Sequence, residues 1–130
     1  MAASQSYDPS VQGAIYVIDH AADCIPTSNT TSTYRVSSQL LLTQAGRRYV
    51  FGLRDCSVSA WDRRVVSSLL ARDFTQLDGP ACPPAKACPD FSASALPLRF
   101  GDVRRSQATA GVGGFITHAA DNWKVTVWRR

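Results

Sequence analysis

Two short constellations carry residue types that do chemistry. The tetrapeptide His-Ala-Ala-Asp occurs twice, at His20 to Asp23 and at His118 to Asp121. A histidine and a carboxylate kept together could share acid–base work or ligate a metal ion. Aspartate is also favoured where a chain reverses, because its carboxylate bonds nearby amides, and both copies fall where a strand is expected to turn back. The structural reading is the expectation for both.

Four cysteines, Cys24, Cys56, Cys82 and Cys88, allow two disulfides in an exported protein and remain thiols in a reducing compartment. Cys82 and Cys88 could clamp the loop between them. Their spacing is wider than that of a zinc knuckle, and no second pair follows. Free thiols are the expectation, because the amino end lacks the basic start and apolar stretch of a secretory signal. Gly111-Val112-Gly113-Gly114 lacks the lysine and hydroxyl of a phosphate-binding loop and opens onto a strand, where a dinucleotide site needs a helix. Asn29-Thr30-Thr31 fits a glycosylation sequon, which matters only on export. No active site, metal or cofactor is proposed by these residues, and the expectation is a non-enzyme.

The elements that must position them belong to one domain of 130 residues. With 45% hydrophobic and 18% charged residues the composition is that of a folded globule. The longest apolar run near the middle, Leu40-Leu41-Leu42, is far short of the roughly 20 residues of a membrane-spanning helix. The net charge of +4 comes from scattered arginine pairs, and direct nucleic-acid binding is not expected.

Val11 to Ile18 reads as a strand, and Cys24 to Ser28 as its hairpin return near a sheet edge, since Pro26 lacks the amide a central strand needs. Residues 29 to 55 fit two patterns. Tyr34, Leu41, Leu42, Ala45, Tyr49 and Leu53 recur at helical steps from a cap at Ser32 or Thr33, while Tyr34, Val36, Ser38, Leu40 and Leu42 alternate as a strand with a turn at Ala45-Gly46. A helix through at least Ala45 is the expectation. Trp61, Val65, Leu69, Phe74 and Leu77 share one side of a second helix over Ala60 to Leu77. A loop with four prolines follows over Gly79 to Pro89. Leu96 to Phe100, Gly113 to His118 and Trp123 to Trp128 are expected to close the chain as a three-stranded meander.

The order of hairpin, helix and meander resembles the roadblock family of dynein light chains and small scaffold proteins, most closely its adaptor-type members in the lysosomal Ragulator complex. The likeness is carried by Asp8 to Ala14, Cys24 to Ser28, Leu96 to Phe100, Gly114 to His118 and Asp121 to Val127. It implies an α+β, profilin-like fold: one antiparallel sheet of about five strands against one or two helices, with an inserted helix and Pro-rich loop at about 56–94. It also implies a non-catalytic subunit that pairs with another roadblock-type chain, in a cytoplasmic complex that holds Rag-type GTPases for TOR signalling and meets the late endosomal or lysosomal membrane only through its partners. Under that resemblance the pairing residues would be Val36, Leu40 and Leu41 on the candidate helix and Leu98 and Phe100 on an edge strand; their alternative role is this domain's own core. The competing expectation is a secreted, disulfide-stapled β-rich binding module or effector.

Overall fold

A computed structural model describes residues 5–29, 35–51, 62–77, 79, 80, 82, 88–107 and 116–130. Strand β1 (Gln5–Tyr7) leads through a one-turn helix α1 (Pro9–Gln12) into β2 (Ile15–Asn29). There follow β3 (Arg35–Gln44), β4 (Arg47–Val50), β5 (Asp62–Leu69), a 3-10 turn (Ala71–Asp73), β6 (Thr75–Gln76), β7 (Leu98–Gln107) and β8 (Ile116–Arg129). The strands form two antiparallel sheets, a five-stranded one ordered β1-β7-β3-β4-β6 and a three-stranded one ordered β5-β2-β8. Both contribute to one core. Ile15, Ile18 and Leu69 come from the smaller sheet, and Tyr7, Leu40, Leu42, Tyr49, Leu98 and Phe100 from the larger, with Phe74 entering from the segment between β5 and β6.

This architecture corrects the expected α+β fold, because neither long helix exists. The stretch expected to be helical through Ala45 is β3, which turns at Ala45-Gly46 into β4. Leu40 and Leu42 face the core and half-buried Leu41 faces away, the period of two that marks a strand. The expected helix over Ala60 to Leu77 is β5, the 3-10 turn and β6. Its helical spacing has a specific cause: β5 carries an extra residue between the partners of Ile18 and His20, so Leu69 and Val66 fall on one face three residues apart. A bulge thus imitates a helical step. Val65, Val66, Ser67 and Ser68 are also weak helix formers.

The strands at the two ends are longer than expected. Val11 lies in α1, and β2 runs unbroken from Ile15 to Asn29 where a hairpin was expected. Pro26 lies on this middle strand rather than near a sheet edge, beyond the last described β5 partner at Cys24, and pairs with His118 of β8. The expected loop at Ala119 to Asn122 is interior to β8. The expected terminal meander is therefore divided, with β7 in one sheet and β8 in the other.

Buried Gln44 ties the 88–97 segment to the larger sheet. Its Nε2 donates to Asp90 O and Leu96 O, both at 2.9 Å, and its Oε1 accepts from Asp90 N at 2.7 Å. Phe91 then packs edge-to-face on Phe74, which packs likewise on Phe51.

Candidate binding surface

The smaller sheet holds the residues that invite a functional reading. Along β2, Ile18 and His20 point into the core, and Asp19 and Asp23 point outward. On β8, Trp123, Val125 and Val127 pack on the core, and Lys124 and Trp128 are exposed. The same alternation that builds the core therefore delivers a polar and aromatic outer face.

Asp19 organises that face. Its Oδ1 accepts the backbone N–H of Ser68 at 2.7 Å, and its Oδ2 accepts the indole N–H of Trp128 at 2.7 Å. One carboxylate on the central strand thus fastens both neighbours. The Ser68 N–H is available because Ser68, at φ 59°, sits in the bulge of β5. The bond from Ser68, then that from Trp128, hold the Asp19 carboxyl below its ordinary value. Further along, Arg63 Nη1 lies 3.1 Å from Asp23 Oδ1. Tyr16, Val65 and Trp128 expose 56%, 54% and 52% of their surface.

The two His-Ala-Ala-Asp copies lie inside strands β2 and β8, which corrects their placement at turns. They run antiparallel, with Asp23 opposite Asp121 in register. The histidines do not meet: His20 pairs with Val125 and His118 with Pro26, six positions apart along β2 and so about 20 Å. His20 is 6% exposed, its Nε2 has no hydrogen-bond partner, and its ring meets Trp123 edge-on at 6.0 Å between centroids. Burial lowers its affinity for a proton and outweighs the opposing charge of Asp102. Among the described residues no three His, Cys, Asp or Glu side chains cluster as metal ligands, and no helix is long and apolar enough to cross a membrane.

Cys82 and Cys88 form a disulfide with Cα atoms 4.9 Å apart, and Cys82 Sγ rests 3.6 Å from Ala71 O on the 3-10 turn. Cys24, buried on β2, is also disulfide-bonded. The expectation of free thiols is corrected at these three positions; Cys56 lies outside the described residues, as do Thr30, Thr31 and Gly111 to Gly114.

Of the five expected pairing residues, Leu40, Leu98 and Phe100 are core. Leu98 and Phe100 lie on β7, which is flanked by β1 and β3, so the expected edge is internal. Leu41 is half-buried on the opposite face of β3, and Val36, also on β3, pairs with Ser106 of β7. The Asp19, Ser68 and Trp128 cluster was missed by sequence reasoning. Outward alternation of Trp128 was legible, but its partner lies 109 residues away.

No family model, curated protein or solved structure matches this chain. The class defined by the coordinates alone is a two-sheet antiparallel β domain with disulfide bonds.

Proposed function

We propose that this chain is a disulfide-stabilised β-rich binding module that works in an oxidising compartment. The observation that carries the reading is the bonded state of Cys82, Cys88 and Cys24 in a small domain, where cross-links add stability that a limited core cannot supply. The outer face of the smaller sheet supports the binding part, because its exposed aromatic and apolar side chains sit on a frame fastened by Asp19. A roadblock-type scaffold needs a helical flank beside its sheet edge. Strand β3 occupies that stretch, so nothing here supports carrying the scaffold reading further.

Alkylation of the native protein followed by mass measurement tests the proposal. No alkylated cysteine is expected before reduction and four after it. Four reactive thiols in native, folded protein would overturn the assignment.

A further inference from the structure

We propose that the outer edge of β8 receives an acidic, extended peptide segment as an added strand, a partner class that deepens the binding-module reading and rests on it. The argument starts from how each sheet edge ends. A strand edge presents unpaired N–H and C=O groups and is normally kept short or distorted. Edge strands β1 and β6 have three and two residues. The other edge of the smaller sheet, β5, is interrupted at Ser68, whose N–H is turned to Asp19.

Strand β8 differs. It spans 14 residues, and from Lys124 to Trp128 it pairs with β2 residue for residue without interruption. Among the described residues no strand pairs with its other edge. The segment Val125-Thr126-Val127-Trp128 consists of strong strand formers. Its flanking groups are held toward β2: the Trp128 indole bonds Asp19, Arg129 Nη1 donates to Gln12 O at 3.3 Å, and Arg130 N donates to Ala14 O at 3.1 Å. Each of these contacts runs to β2 or to the segment leading into it, and among the described residues none crosses the other margin. Main-chain bonds to such an edge give affinity, and side chains beside it select the partner.

Charge selects among occupants. Lys124 and Arg130 are exposed along this segment. A second copy running antiparallel over Lys124 to Arg130 would set Lys124 against Arg130, and like charges directly opposite destabilise a strand pair. A strand bearing glutamates or aspartates meets complementary charge instead.

The test uses the full oxidised chain and three capped nine-residue probes: one alternating threonine and glutamate, one alternating threonine and lysine, and the glutamate probe N-methylated on alternate amides. The glutamate probe is expected to slow hydrogen exchange across 124–128 and to bind at least tenfold tighter than either other probe. Lys124→Glu is expected to weaken it at least threefold with an unchanged melting temperature. Equal binding of the N-methylated probe, or binding without protection of 124–128, overturns the proposal. So does self-association of the free protein with protection confined to β8. If these results fail while native protein shows no free thiol, only the docked strand is lost. Free thiols with β8 protection intact would sink the oxidising-compartment reading alone.

Discussion

Burying a neutral histidine makes stability depend on pH as the pH falls through the ordinary value of that histidine. In the unfolded chain His20 takes up a proton near its ordinary value of 6.5, whereas in the fold burial holds it below that value. The unfolded state therefore binds more protons as pH falls through 6.5, and stability must fall with it until the native histidine also titrates. The limiting slope for one proton is about 1.4 kcal/mol per pH unit. The ceiling on the loss between pH 7 and 5.5, set by a native histidine that takes up no proton in that range, is about 1.2 kcal/mol, against a domain's typical stability of about 5–15 kcal/mol. Asp19 cannot mimic this, since its depressed carboxyl adds stability that is lost only as pH falls below its ordinary 3.8. Urea unfolding followed by tryptophan fluorescence at pH 5 to 8 measures the slope, with Trp123 beside the imidazole as a local reporter. His20→Leu should reduce the slope by the share of His20, and at pH 7 should cost little, because it also removes an unpartnered buried nitrogen. A parent protein with flat stability across this window, or a leucine variant with the parent's slope, would refute the reasoning.

Three further outcomes are expected. Ala45 and Gly46 join β3 to β4 with φ of 53° and 75°, a two-residue turn in which alanine is strained, so Ala45→Asn should raise stability by about 1 kcal/mol in denaturant unfolding. Leu98→Ala should destabilise by about 2–5 kcal/mol, and Leu41→Ala by clearly less, which separates a core role from the expected pairing role. Asp19→Asn should weaken the indole and Ser68 bonds together, shifting Trp128 emission and speeding amide exchange at Ser68 while leaving the core protected.

Local reasoning succeeded where a pattern had one neighbour to satisfy. The alternation of Trp123 to Trp128 is legible, whereas the turn at Ala45-Gly46 belongs to the strand pattern and not to the expected helix, and Pro26, expected near a sheet edge, lies on β2, the middle strand of its sheet. It failed where tertiary context set the period. The bulge in β5 spaced Val66 and Leu69 like helix neighbours, and the His-Ala-Ala-Asp copies lie within strands, where Asp23 bridges to Arg63 in place of forming a turn.

What composition and pattern determined by themselves was a folded, apolar-rich chain in which Trp123 to Trp128 form a strand with one apolar side. Which residues became core, which described strands lie at the sheet edges and which cysteines joined were decided only in three dimensions. Alternation says that a side is buried without saying against what, and the pairing of β2 with β8 or of Asp19 with Trp128 joins positions about a hundred residues apart. Such contacts are selected by the shared core between two sheets, and no window of sequence contains them.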